Sequence, residues 1–354
     1  MIAQSLSEAL ARRGIHYAWV VAGVVFLNAI FGAAALGVPA VLIAPMAADL
    51  GLTVGEMSAP QGVRFALFGL VAPFAGGLVL GGAMAAGTLV FIPPAAWVAE
   101  TFGWRAALLI PTVGTALVLP LVHLLMRERP SDLGLPAYGD DAVRPVPPRL
   151  PGNFVQVSVG ALALAVRRPV FWVLAGTFAV CGATSLGITQ THLVPFCGDI
   201  GISLVAASWL LAVIGVCDLI GTIVSGWLSD RYDNRWLLVW YYGLRGVSLL
   251  WLAFGDTTLA GLAIFAIVFG LDYIATVPPT TKLTIAAFGR ETGPVVIAWI
   301  FAAHQIGAGA MAYGAGLGRD GFGSYLPVFF VAGLLCLVAA ATFVLVRRER
   351  PALA

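Results

Sequence analysis

The sequence predicts an all-α polytopic membrane protein, with about ten transmembrane helices arranged as bundles of four and six. Three observations predict it. First, 60% of the 354 residues are hydrophobic and only 10% are charged, whereas soluble domains carry about 25% charged residues. Second, uncharged apolar runs of about 20 residues recur along the chain, each long enough to cross a hydrocarbon core of about 30 Å as a helix. Third, the cations are sorted between alternate loops. Of the 19 Lys and Arg residues, 15 fall on one side if the N-terminus is cytoplasmic: Arg12, Arg13, six between Arg127 and Arg168, Arg231, Arg235, Lys282, Arg290 and three in "RRER". Arg105 and Arg319 fall on the other side, and Arg64 and Arg245 lie within spans. This asymmetry places both termini in the cytoplasm and requires an even number of spans.

The expected spans are 17–42, 57–77, 79–99, 106–126, 170–196, 203–226, 237–254, 259–280, 294–317 and 325–346. Residues 1–16 are amphipathic. The run after them is too long for a signal peptide's apolar core and reads as the first span. Residues 57–99 hold two spans only if the chain reverses almost without a loop, which needs Gly76-Gly77 or Gly81-Gly82 at the turn. The rival is one long broken helix. Between the fourth and fifth spans lies a Pro- and Arg-rich loop, so the division is 1–126, a bundle of four; 127–168, a cytoplasmic loop; and 169–354, a bundle of six. The end of that loop, "NFVQVSVGALALAVRRP", suits a helix lying at the membrane interface, held by Arg167 and Arg168.

Composition excludes several function classes. A net charge of +2 offers nothing to nucleic acid. The four cysteines form no C-x-x-C pair and read as packing residues. There is no P-loop, no HExxH, no metal-ligand spacing and no cofactor motif. "GAGAMA" (307–312) fits a dinucleotide fingerprint, but no strand precedes it and it sits in an apolar helix, where small residues serve close helix packing.

One polar burst stands out. "GWLSDRYDNR" (226–235) resembles the G-x-L-x-D-R-x-x-x-R loop signature of the major facilitator superfamily. "HYAWVVAGVVFLNAIFG" and "AAHQIGAGAMAYGAGLGRDGFGSYLPVF" resemble the branch of monocarboxylate and oxalate/formate carriers. The resemblance implies a two-bundle carrier fold. In it Gly226 permits close helix approach, and Asp230, with Arg231 and Arg235, forms a cytoplasmic latch. The family pattern is six plus six helices. Here "FALFGLVAPFAG" passes directly to "GTLVFIPPAAWVAETFGWR", which resembles the family's fifth helix, so about two helices and the first copy of the latch are missing.

Polar residues within spans are costly and mark functional candidates. Asp218 and Arg245 lie equally far from the 231–232 turn, so an ion pair between them is expected, either as a protonation or substrate switch or as a lock for the hairpin. Arg64 is a cationic ligand for an anion or snorkels to the outer surface. His192, beside Gln190 and a helix break at Pro195, lines a polar cavity or is a satisfied interface histidine. His304 and Gln305 carry a proton or make an interhelical hydrogen bond. Asp272, whose family counterpart lines the cavity, is the leading candidate for proton coupling; the alternative is a partner for Lys282 or Arg290. These residues and the resemblance imply a secondary transporter in a bacterial inner membrane, moving a small solute such as a monocarboxylate by alternating access, with proton symport. The other reading is a transport-incompetent remnant, or one half of a multi-chain assembly. Nothing in the sequence sets the oligomeric state.

Overall fold

The computed structural model describes residues 2–75, 81–127, 130–136, 138–140, 142–143, 153–255 and 257–345. Among these residues it is helical nearly throughout. In chain order the helices are α1 (Ile2–Ala11), α2 (Ala18–Val41), α3 (Ile43–Leu50), α4 (Val54–Ala75), α5 (Gly81–Phe102), α6 (Trp104–Leu125), α7 (Phe154–Ala165), α8 (Pro169–Gly182), α9 (Thr191–Asp199), α10 (Leu204–Ser229), α11 (Asn234–Phe254), α12 (Leu259–Asp272), α13 (Val277–Phe322) and α14 (Leu326–Leu345). A π-helical turn, Ala183–Gln190, joins α8 to α9 without a break. Within α13, Gly289 takes φ 81° and ψ 170° and splits the helix. A residue with a Cβ strains to hold that φ, so glycine is what allows a turn there.

Seven helical stretches among the described residues are long and apolar enough to cross a membrane. One of them, Leu259–Phe322, is 64 residues long and contains the Gly289 break. This layout is compatible with the ten expected crossings. Exposed tryptophans gather near helix ends, including Trp19, Trp97, Trp172, Trp209, Trp227, Trp236 and Trp251. That is the belt of amphipathic rings a bilayer interface favours.

Two helices, α4 and α5, account for the described residues of the segment 57–99, and they run in opposite directions. Gly55, at the start of α4, lies against Gly316, and Arg319 near the end of α13 pairs with Asp199. Glu100, at the end of α5, meets Val205 just beyond Asp199. The start of α4 and the end of α5 therefore share one end of the molecule, called here the Asp199 end. The opposite end carries Asp230. Gly81 and Gly82 are helical and do not make the reversal, while Gly76-Gly77 lies outside the described residues.

Among the earlier helices, α2 packs on α5 and α6; among the later ones, α8 packs on α13, α10 on α12 and α11 on α14. Two antiparallel pairs join the sets, α4 with α13 and α5 with α10. Lipid is as apolar as leucine, so helices associate in it by close backbone packing rather than by hiding from water. The α4–α13 seam shows how. A Cβ on Gly62 would meet the Gly309 carbonyl oxygen at 2.8 Å, and one on Gly69 the Ala302 oxygen at 3.0 Å. Gly55, Gly62 and Gly69 face Gly316, Gly309 and Ala302 at seven-residue steps on both helices. "GAGAMA" is thus a packing motif used on two faces: Gly309 meets α4, and Gly307 meets the Ala179 backbone of α8.

The Asp230 end differs from expectation. Gly226 faces open space; the close approach falls one turn earlier, where a Cβ on Gly221 would lie 1.9 Å from the Leu271 oxygen. Asp230 pairs with Lys282 rather than with an arginine. That hydrogen bond and the adjacent ammonium hold the Asp230 carboxyl below the usual carboxylate range. Arg231 lies over the Trp227 ring, 4.2 Å from its centroid, and Arg235 donates to the Phe343 carbonyl at 3.2 Å. Arginine goes to rings and carbonyls here because its planar fork stacks and chelates, whereas the compact lysine ammonium suits a point contact. The helix cap is Asp233, which accepts from the Arg235 N–H at 3.0 Å. Asp233→Ala is expected to lower stability by about 1 kcal/mol, read from thermal unfolding in detergent.

The expected interfacial helix forms as α7, capped by Asn153 and Gln156. It does not lie free. The Ser158 hydroxyl donates to the Pro73 carbonyl of α4 at 3.2 Å, and Trp299 Nε1 of α13 donates to the Ser158 carbonyl at 3.0 Å. Arg168 holds the Ala287 carbonyl.

Candidate functional site

The site is built around a helix interruption. Pro278 and Pro279 lack the N–H groups that would bond the Ile274 and Ala275 carbonyls, so residues 273–276 leave the α-helical path. Several of the groups this frees find partners outside the helix. The Val277 N–H turns back to the Ile274 carbonyl at 2.9 Å. The Ser225 hydroxyl of α10 donates to the Ala275 carbonyl at 2.5 Å. The Gly270 carbonyl accepts from Tyr273 at 3.1 Å, and the Ile274 N–H donates instead to Asp218 Oδ1 at 2.9 Å. Arg245, fully buried, holds the remaining carbonyls: Nη2 donates to the Asp272 oxygen at 2.5 Å and to the Tyr273 oxygen at 2.9 Å.

The rest of Arg245 is as fully committed. Nε donates to Asp272 Oδ2 at 2.6 Å, and Nη1 reaches Cys181 Sγ at 2.9 Å and Thr184 Oγ1 at 3.4 Å. A guanidinium has five N–H donors, and all five have acceptors. The expected Asp218–Arg245 pair is therefore replaced by an Arg245–Asp272 pair, and Asp272 meets neither Lys282 nor Arg290. The interruption is the reason. Its bare carbonyls draw the cation of α11, and its bare N–H draws the anion of α10, so both residues reach one stretch of backbone without meeting. Asp272 Oδ1 is left buried without a partner.

Tyr273 carries this clamp to the interface between the two sets of helices. Its hydroxyl donates to Gln190 Oε1 at 3.1 Å, and its ring packs with Phe65, Leu186, Ala308 and Ala312. Gln190 closes the π-helical turn and faces Gly37 of α2, where an added Cβ would lie 3.6 Å from its Nε2. Beside Gly37, Arg64 reaches from α4 to α2. It donates to the Ala35 carbonyl at 3.3 Å and the Leu36 carbonyl at 3.1 Å. Pro39 supplies no N–H to Ala35, so Arg64 fills a vacancy a proline created. It does not snorkel to the end of the molecule. Its Nε is buried without a partner, and it lines an open groove with Glu56, Ala59, Pro60, Val63 and Leu67.

The other candidates stand apart from this clamp, except that His304 lies beside Cys181. His192 lies away from this interface, fully buried near the Asp199 end. Its Nε2 must donate to the Ala312 carbonyl at 2.7 Å, which leaves Nδ1 to accept from the Tyr325 hydroxyl at 3.0 Å. That is a satisfied histidine. The helix does not break at Pro195 but runs on to Asp199, its geometry altered earlier by the π turn. His304 stacks on Phe301 at 5.6 Å with its ring 7° from parallel, and its Nδ1 has no partner. The Gln305 side chain packs against Gly69 of α4, with Oε1 unpartnered. The sequence does not single out Tyr273, Thr184 or Ser225. For Tyr273, which follows Asp272 directly, the Pro-Pro pair shortly after it is the available signal.

Comparison with known proteins agrees with this architecture. The Major Facilitator Superfamily model matches residues 193–354. Monocarboxylate transporter 12-B of Danio rerio is 26% identical over 70% of this chain and 55% of its own length. Monocarboxylate transporter 13 of Rattus norvegicus is 27% identical over 73% and 56%. The uncharacterized MFS-type transporter YcxA of Bacillus subtilis is 27% identical over 72% and 59%. The chain thus spans little more than half the length of the curated relatives it matches. Among solved structures, a bacterial homolog of the human lysosomal transporter Spinster, in an inward-facing and occupied conformation, superposes with a TM-score of 0.61 at 14% identity, covering 92% of this chain and 95% of that one. The Escherichia coli fucose:proton symporter FucP gives 0.51 at 16% identity, covering 92% and 84%. With its polytopic helices and its polar loop after α10, the chain matches the Major Facilitator Superfamily over residues 193–354 and is similar along most of its length to monocarboxylate transporters of that superfamily.

Proposed function

We propose that this chain is a secondary carrier for a small organic anion of the monocarboxylate class. It sits in a bacterial inner membrane with both termini in the cytoplasm, and its two helix sets, 1–126 and 169–354, rock about the interface they share. The observation that carries the reading is Arg64: a guanidinium within a span, between α2 and α4, with two of its five N–H groups bonded to carbonyls and an open groove beside it. A carboxylate is the natural partner for such a group. Tyr273 and Gln190 supply polar contacts at the same interface. Proton coupling falls to Asp272, whose Oδ1 is free to take a proton while Oδ2 stays with Arg245, with Asp218 on the Ile274 N–H and His304 beside Cys181, which Arg245 also touches.

Uptake of labelled lactate, pyruvate, formate and oxalate into proteoliposomes, with and without an inward proton gradient, tests the reading. Transport above empty vesicles, stimulated by the gradient, is expected. Arg64→Gln should lower kcat/KM about ten- to hundred-fold, the worth of one charged hydrogen bond, with Arg64→Lys retaining part. Absence of uptake under both conditions overturns the carrier reading.

One observation favours a second reading. On α4, Val63, Leu67, Leu70 and Val71 are each more than half exposed along the face that holds the open groove. A chain whose cavity wall is incomplete there is a remnant, or a subunit whose partner supplies the wall. Substrate binding to the purified chain in detergent separates these readings: a carrier binds, and a remnant does not.

A further inference from the structure

The two helix sets are tied together at the Asp199 end by two carboxylates of one design. Asp320, near the end of α13, accepts through Oδ2 from the Gly55 N–H at the first turn of α4, at 2.9 Å. Glu100, near the end of α5, accepts through Oε1 from the Val205 N–H at the first turn of α10, at 3.2 Å. In each case an acid at the C-terminal end of a helix in one set bonds the N-terminal turn of a helix in the other. The direction reverses between them: the later set gives the acid in one contact and the earlier set gives it in the other. They sit at the ends of α4–α13 and α5–α10, the two most extensive pairings between the sets. Two further acid contacts at this end, Asp49 with Arg105 and Asp199 with Arg319, each stay within one set.

From this geometry we propose that Glu100 and Asp320 form a gate of two locks that holds the Asp199 end of the carrier shut. The first-turn N–H groups of a helix have no intrahelical acceptor, and the helix dipole favours an anion there. Both acids are exposed. A carboxylate held in water at a helix start contributes a small and reversible bias, which suits a contact that must break in every cycle. A buried ion pair would be too costly to separate. The glycine seam beneath the Asp320 lock presents bare backbone, so the surfaces can part once the lock opens. The inference rests on the carrier reading for its purpose, but the locks can be tested without any substrate.

The test uses the full chain in lipid nanodiscs, with Cys217, the one cysteine that is not buried, replaced by alanine. Spin labels at Leu52 and Phe322 report across the Asp320 lock, and labels at Phe102 and Ile200 across the Glu100 lock. Pulsed electron-electron distances are measured for the parent, Glu100→Gln, Asp320→Asn, both together, and Asp49→Asn. Each lock variant is expected to raise the ratio of long to short distances about two- to five-fold, and the pair to multiply these effects. Asp49→Asn removes an acid at the same end without crossing between the sets, so it should leave the ratio unchanged. Unchanged distances in the double variant overturn the proposal, as does an equal opening in Asp49→Asn. Normal gating with no proteoliposome uptake would instead count against the carrier reading alone.

Discussion

Asp272→Asn is expected to destabilise the protein by about 3–5 kcal/mol, the cost of leaving a buried cation without its counter-charge. The substitution is isosteric and keeps an oxygen near Arg245 Nε, so geometry alone predicts little change. What it removes is the negative charge facing a fully buried guanidinium. Arg245→Met should cost a similar amount for the opposite reason. It strands the Asp272 carboxylate and leaves the Asp272 and Tyr273 carbonyls without donors. The double variant should lose less than the two single losses combined, because no lone charge remains. Thermal unfolding of the four proteins in one detergent measures all of this. A loss below about 0.5 kcal/mol for Asp272→Asn would mean that the carboxyl is already neutral in the folded protein, and the ion pair would fall.

Gly307→Leu is expected to lower stability by about 3 kcal/mol or more, or to prevent assembly of the C-terminal helices. A Cβ there would lie 2.1 Å from the Ala179 carbonyl oxygen and within 3.0 Å of two more backbone atoms of the same residue. Backbone cannot rotate away as a side chain can, so α8 and α13 must separate. Gly182 makes the reciprocal contact, 1.8 Å from the His304 oxygen, so the crossing is tight from both sides. Gly314→Leu, on the same helix with nothing within 4 Å, serves as the comparison and should leave stability unchanged or raise it by up to about 1 kcal/mol. Equal losses at the two positions would show that the crossing does not govern the effect, since leucine is the better helix former at both.

The length and order of the helices are legible in the residue string. The fifth expected span, 170–196, is realised as Pro169–Asp199, and the tenth, 325–346, as Leu326–Leu345. The polar candidates are legible as a set but not as pairs. Counting from a turn puts Arg245 and Asp218 at one depth, and both do reach the 272–274 backbone. Counting along a hairpin cannot show that a neighbouring helix is interrupted there, nor that its carbonyls and N–H outbid a direct pair. His192 is likewise visible as a buried polar group, but its saturation by Tyr325 and Ala312 depends on residues more than a hundred positions away. Nothing in the residue string marks Glu100 and Asp320, because exposed carboxylates near helix ends are ordinary. Only their cross-set partners distinguish them.

By itself, then, the sequence determined that this chain is a bundle of membrane-crossing helices with one polar turn after α10. Run length, apolarity and the placement of arginine are local properties, and a bilayer reads them segment by segment. Tertiary structure alone decided which charge meets which, where glycine brings backbones into contact, and how the two helix sets are held at the Asp199 end. Those outcomes depend on the donors and acceptors that prolines and helix ends leave bare. In a medium with no water to satisfy them, whichever side chain the packing brings within reach must do so.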